Sequence, residues 1–86
     1  MTTATLSEED LAQRDALVGR LLAATIGALE LLNVYVGDCL GLYRALADRG
    51  RLTSASLASA TGISERYARE WLEQQAIAGI LSVDAV

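Results

Sequence analysis

The chain contains no histidine, lysine, proline or phenylalanine, and it has a single cysteine, Cys39. Without histidine and with one cysteine, the chain cannot assemble a His/Cys zinc site or a disulfide, and Cys-His and Ser-His-Asp catalysis are excluded. Because free cysteines are usually buried, we predict that Cys39 is a small core residue. A lone thiol also suits a reducing compartment, which favours a cytoplasmic location.

Positive charge is scarce as well. Seven arginines stand against eleven acidic residues, so the 86-residue chain has a net charge of −4. A protein that binds a phosphate backbone needs a surplus of cations, so nucleic acid is not favoured as a partner. The glycines are scattered and form no phosphate-binding loop. We therefore expect no catalytic residue, no metal site and no cofactor-binding residue in this chain.

The residues that are present favour helices. Hydrophobic residues make up 52% of the chain, alanine and leucine dominate, and no proline interrupts them. We predict a mainly all-α fold in one structural domain. The most apolar stretch, residues 21–37, contains Glu30 and Asn33. A central charge costs about 2.5–3.5 kcal/mol on insertion scales, so we interpret this stretch as a buried helix and expect no membrane partner.

A long N-terminal helix is predicted to begin after Ser7, whose hydroxyl can cap the free amides ahead of three acidic residues. Apolar residues then recur with a seven-residue period on two adjacent rows, and a second stripe runs beside them. A helix that is apolar on two sides must be covered on both, so we expect a partner subunit or a further domain. The two rows are Leu11, Val18, Thr25, Leu32 and Leu22, Leu29, Val36, and the second stripe is Leu17, Leu21, Ala24, Ala28, Leu31, Tyr35.

Gly37 and Gly41, four residues apart, indicate either a break in this helix or a close helix contact, and a kink is the preferred interpretation. A second helical face resumes at Leu42 and ends at Gly50. We assign residues 1–50 to N-terminal dimerisation helices and residues 51–86 to a helix-turn-helix with the start of a wing.

The helix-turn-helix is predicted from two capped helices on a short glycine turn. Thr53 caps a helix over residues 54–61, which Gly62 ends, and Ser64 caps a helix from residue 65 to about residue 78. Ala58 is expected at the helix crossing, with Ile63, Ala68 and Trp71 in the shared core.

The pattern changes after Gly79. Ile80, Leu81, Val83 and Asp84 are typical of a strand, which would be the first strand of an incomplete wing. A single strand presents unpaired backbone groups, so the chain resembles part of a longer protein.

The charges on the second helix of this motif argue against DNA recognition. Its three arginine–glutamate pairs at a spacing of four neutralise one another along one face, whereas a groove-reading helix offers unpaired basic or amide side chains. The pairs are Glu65 with Arg69, Arg66 with Glu70, and Arg69 with Glu73.

Three runs of sequence resemble the N-terminal winged-helix domain of bacterial class I S-adenosylmethionine-dependent methyltransferases. They are Gly41-Leu-Tyr-Arg-Ala-Leu-Ala47, Leu57-Ala58 with Thr61-Gly62, and Glu65-Arg-Tyr-Ala-Arg-Glu-Trp-Leu72. The resemblance covers about residues 36–84, and its most specific part is Arg-Tyr-x-x-Glu-Trp-Leu. Ala68 stands where a bulkier aliphatic residue is expected.

The resemblance implies a homodimer formed through the long N-terminal helices. It also implies a lid over the substrate pocket of a following C-terminal Rossmann-like domain, which would bind S-adenosylmethionine and a small-molecule methyl acceptor. No cofactor residue can be carried over to this chain. The expected dimer contacts are Leu22, Leu29, Leu32 and Val36. Tyr35, Tyr67 and Trp71 are expected on the substrate side or domain seam, with ordinary core aromatics as the alternative.

Two other functions stay open. A small winged-helix transcription regulator would have the same motif but would need a basic surface. A purely structural interaction module would share the apolar helix and would lack a ligand.

Overall fold

The computed structural model describes residues 5–84, which contain four helices and no strand. Helix α1 spans Glu8–Cys39, α2 spans Leu42–Arg49, α3 spans Ser54–Thr61 and α4 spans Glu65–Ile77. The predicted all-α architecture is confirmed, and each predicted helix is present within a residue or two of its expected bounds.

Helix α1 begins where the sequence predicts. The Ser7 side chain accepts a hydrogen bond from the Asp10 backbone N–H at 3.1 Å, and the Asp10 carboxylate accepts one from the Ser7 N–H at 3.1 Å. This reciprocal capping box satisfies two of the free amides at the helix start. The bond from the Ser7 N–H, followed by the interaction of the Ser7 side chain with the carboxylate, lowers the pKa of Asp10 below its ordinary value.

The two glycines that follow have different roles. Gly41 has a φ of 72°, a left-handed conformation that side chains disfavour, and it separates α1 from α2. Gly37 lies inside α1 and is buried, because the rings of Trp71 and Tyr43 pack directly on its Cα. The predicted break therefore occurs at Gly41, whereas Gly37 provides the close helix contact.

Helices α3 and α4 form the predicted helix-turn-helix. Thr53 and Ser64 cap the two helices through their hydroxyls, and Gly62 ends α3 with a φ of 79°. The core between them contains the residues that the sequence placed there, together with Leu42 of α2. The buried apolar residues are Leu42, Leu57, Ala58, Ala68 and Trp71, and Ile63 packs against them.

Trp71 joins α4 to the last third of α1. Its indole Nε1 donates a hydrogen bond to the Asn33 backbone oxygen at 2.9 Å. Its ring meets that of Tyr43 edge to face, with centroids 5.0 Å apart and planes at 68°. Helix α2 therefore packs with α1 on one side and with the helix-turn-helix on the other, and the division at residue 50 stays a prediction.

The predicted wing strand is not formed among residues 80–84. A strand needs a neighbouring backbone to hydrogen-bond with, and none lies beside this segment in the described part of the chain. The Gln75 carbonyl instead accepts bonds from the N–H groups of Ile80 at 3.0 Å and Leu81 at 3.2 Å. The Arg51 guanidinium contacts the Asp84 carboxylate at 2.5 Å, which fastens the segment to the loop before α3.

Most of α1 extends away from the other helices. The described chain measures 67 × 26 × 19 Å, and its radius of gyration is 20.0 Å, compared with about 12 Å for a compact domain of this length. Over 18 residues the mean hydropathy of α1 reaches 1.6, and none of that window is buried. By length and composition alone, α1 meets the requirements of a membrane-crossing helix. The expectation of no membrane partner stays a prediction.

Candidate functional site

The apolar row on α1 is the main candidate interaction surface. We use the name dimer stripe for Leu22, Leu29, Leu32 and Val36. The first three side chains are 55–59% exposed, and Val36 is half-buried. Helical geometry places all four on one side of α1. The described chain leaves the three leucines largely uncovered, although burying a leucine is worth about 1.5–3 kcal/mol.

The second stripe of α1 is also uncovered. Leu17, Leu21, Leu31 and Tyr35 are all exposed. Helix α1 therefore presents a broad apolar surface over most of its length. Single exposed leucines are common in monomers, but a continuous apolar surface of this kind marks an interaction site.

The three aromatic residues expected at a substrate side or domain seam have different environments. Tyr35 on α1 is 65% exposed and Tyr67 on α4 is 73% exposed, whereas Trp71 is only 6% exposed. Trp71 is therefore a core aromatic residue, and its ring packs against that of Tyr43. Tyr35 and Tyr67 are free to contact a further domain, and their assignment to a seam stays a prediction.

The expectation that Cys39 is buried is wrong, because the residue is exposed. It lies at the end of α1, where the helix surface is not covered by the other elements. The Cys39 thiol, one helical turn from Tyr35, is the main cause of the raised pKa of the Tyr35 hydroxyl.

The exposed face of α4 carries the expected ion pairs. Arg66 lies 3.2 Å from Glu70, and Arg69 lies 3.8 Å from Glu65 rather than pairing with Glu73. Each pair is solvent-exposed and worth about 0.3–0.5 kcal/mol. The pairs add little stability, but they neutralise arginines on α4, the helix that would read DNA. Little unpaired positive charge is therefore left on that helix to contact a phosphate backbone.

Two apolar grooves flank α4. One, of about 480 Å³, lies between α1 and α4, and Ile77, which is 88% exposed, lies at its edge. The other, of about 810 Å³, lies between α4, the loop before α3 and residues 81–84. Polar and charged side chains line both grooves, among them Glu30 and Glu70 in the first and Arg69 in the second. Among residues 5–84 no group of His, Cys, Asp or Glu side chains is arranged to hold a metal ion.

The sequence interpretation missed Gln75, the one fully buried polar side chain among the described residues. Its Oε1 accepts a hydrogen bond from the Tyr43 hydroxyl, and its Nε2 donates one to Gln74 Oε1 at 2.6 Å. Because Gln75 follows Trp71 by four residues, it shares the buried face of α4. The spacing of four residues from Trp71 could have identified Gln75 from the sequence, since a polar side chain on a core face must find a hydrogen-bond partner.

Comparison with known proteins identifies the helix-turn-helix part of the chain. The family model of the Rv2258c-like winged HTH domain matches residues 27–86. The match begins within α1 and includes the core, the turn, the second groove and all of the first groove except Ile26. No curated protein matches the chain.

Proposed function

The chain belongs to the family of Rv2258c-like winged HTH domains, and we propose that it acts as the non-catalytic dimerisation and substrate-lid module of an S-adenosylmethionine-dependent methyltransferase. The observation that carries the proposal is the exposed dimer stripe on a helix of 32 residues, most of which is left uncovered by the described part of the chain. Helices in proteins gain most of their stability from packing an apolar face, so α1 needs a covering surface. A second copy provides one with matching apolar rows.

The lid role rests on Tyr35 and Tyr67. Exposed tyrosines combine a large apolar ring with a polar tip, which suits a surface that closes over a small molecule. Such closure would exclude water and hold the methyl acceptor in line with the methyl group of S-adenosylmethionine bound in the following domain. Trp71 contributes indirectly, because it fixes α4, which carries Tyr67, against α1.

Sedimentation of wild-type protein and two matched variants tests the dimer. The Leu22→Glu variant places a charge in the dimer stripe, and we expect it to sediment as a monomer. Leu31→Glu makes the same change at an exposed leucine outside the stripe, and we expect it to remain a dimer. Equal loss of association in both variants would contradict a specific stripe and indicate nonspecific apolar contact.

The coding DNA beyond Val86 tests the methyltransferase role. A continuing frame of roughly 200 residues, enough for one further α/β domain, with an early strand and an acidic glycine-rich loop, supports it. A stop codon directly after Val86 contradicts it and leaves an interaction module.

A winged-helix transcription regulator is the alternative function, and the α3–α4 motif itself favours it. A gel-shift assay with random duplex at low salt tests this alternative. Binding that weakens steeply with added salt supports DNA recognition, since phosphate contacts release counterions. We expect no shift of the DNA band, because the arginines of α4 pair with glutamates of the same helix.

A further inference from the structure

We infer that the second copy packs antiparallel along the full length of α1, so that the first turn of each helix lies beside the end of the other. This inference rests on the proposed dimer and adds its orientation and register. It follows from the spacing of apolar residues on a helix that the structure leaves uncovered.

The apolar rows of α1 form a heptad repeat. Leu22, Leu29 and Val36 occupy one core position, and Leu11, Val18, Thr25 and Leu32 occupy the other, offset by four residues. Val18 and Thr25 are exposed, like the three leucines of the dimer stripe, and only the end positions Leu11 and Val36 are half-buried, so most of the repeat faces outward. Two such helices pack side by side when their core positions meet at the same height.

Full antiparallel overlap produces that match. When residue 8 of one copy lies beside residue 39 of the other, the two bounds of α1 coincide. Leu11 then lies beside Val36, Val18 beside Leu29, and Leu22 beside Thr25. The remaining layer sets Asp15 beside Leu32, so it brings one carboxylate of each copy against a leucine. The overlap that buries the most helix therefore also sets the two rows against each other.

The charges of α1 oppose the parallel alternative. A parallel pair would bring together both acidic first turns, each made of Glu8, Glu9 and Asp10. It would also set Asp15, which continues the row of Leu22, against its own copy in the interface. The antiparallel pair separates the two acidic first turns by about 45 Å, the length of the helix, and leaves Asp38 as the one acidic residue at the height of the other copy's first turn.

The antiparallel arrangement also covers surfaces that a parallel pair leaves open. The N-terminal half of each α1, which the other described helices leave uncovered, would lie along the last third of the other α1. There Leu29 belongs to both the dimer stripe and the lining of the groove between α1 and α4. The second copy would thus shield the exposed side chain of Ile77 at the groove edge.

Disulfide cross-linking of the purified chain tests the orientation. All variants carry Cys39→Ser, so each has one cysteine or none. Thr25→Cys lies near the centre of the overlap, and we expect it to form a dimer band on a non-reducing gel. Val18→Cys and Leu29→Cys should each stay monomeric alone and form a mixed disulfide, identified by intact mass, when combined.

The outcomes separate this inference from the proposed function. Cross-linking of Val18→Cys with itself indicates a parallel pair, which overturns the antiparallel orientation and leaves the dimer intact. A mixture that stays monomeric while Thr25→Cys cross-links overturns the register. If Thr25→Cys also fails and the wild type sediments as a monomer, the dimer itself is contradicted. All three sites are exposed, so none of these changes removes a core contact.

Discussion

At the scale of single residues, the position of α1 depends on the absence of one side chain. A Cβ at Gly37 would lie 2.7 Å from Tyr43 Cε2 and 3.0 Å from Trp71 Cε2, closer than carbon atoms pack. The same Trp71 donates to the Asn33 oxygen one turn earlier in α1. Gly37 and Trp71 together therefore hold the long helix against α4.

The Gly37→Ala substitution should lower the free energy of unfolding by about 1–3 kcal/mol, because two aromatic rings would have to move. Urea unfolding followed by the fluorescence of Trp71, the single tryptophan, measures this. Gly27→Ala is the matched control on the same helix, where nothing lies within 4 Å. It should be neutral or stabilising, since glycine weakens helices. A Gly37→Ala variant as stable as this control would argue against close packing at Gly37.

Tyr43 gives the core a response to alkaline pH. Burial raises the pKa of Tyr43 above its ordinary value of 10.0. Above pH 10 the unfolded chain loses this proton more readily than the folded one, so stability present below pH 10 should fall as the pH rises further. Tyr43→Phe should show a shallower fall in unfolding midpoint between pH 10 and 11. The pKa of Tyr35 is also raised, so Tyr35 contributes to the pH dependence in the same direction.

The residue scale is also where sequence interpretation was weakest. Burial of Cys39 was expected from its residue type, yet its exposure follows from the helix face on which it lies. Trp71 and Tyr67 are four residues apart, and one is buried while the other is exposed. Residue type predicts only the average burial of a side chain, whereas the packing of α1 and α4 determines whether a particular side chain is buried.

At the scale of elements, the sequence was sufficient because local signals agreed. Ser7, Thr53 and Ser64 each cap a helix, and Gly50 and Gly62 each end one in a positive-φ conformation. These effects involve neighbours within four residues, so the sequence alone carries them. The prediction of a wing strand failed because a strand depends on pairing with a distant segment, which local sequence signals do not describe.

The start of α1 should respond to acid. The pKa of Asp10 is lowered mainly by its bond from the Ser7 N–H, so the capping box contributes stability at pH values above the ordinary value of 3.8. That contribution is lost as the pH falls below 3.8 through the lowered pKa. Circular dichroism at 222 nm should show helix loss in this range, and Asp10→Asn should reduce the pH-dependent part. An unchanged acid titration in Asp10→Asn would place the loss elsewhere.

At the scale of the whole molecule, the core is small and the apolar surface is large. Among residues 5–84, five apolar side chains are buried, while fifteen large hydrophobic ones are exposed, most of them on α1. The match to the winged HTH family accounts for the core and the turn, but it begins only at residue 27, inside α1. A second copy would therefore have to cover the exposed length of α1.

Association that covers α1 should make thermal stability depend on protein concentration, because a partner that binds only the folded chain shifts the unfolding equilibrium. We expect the wild-type Tm to rise when the concentration is raised a hundredfold. Leu22→Glu should remove this dependence, because a carboxylate in the dimer stripe would have to be buried between two helices. Leu31→Glu should keep it, because Leu31 lies outside the stripe. A wild-type Tm that stays constant while sedimentation shows a dimer would mean that the dimer forms without covering α1, and the stripe would then need another partner.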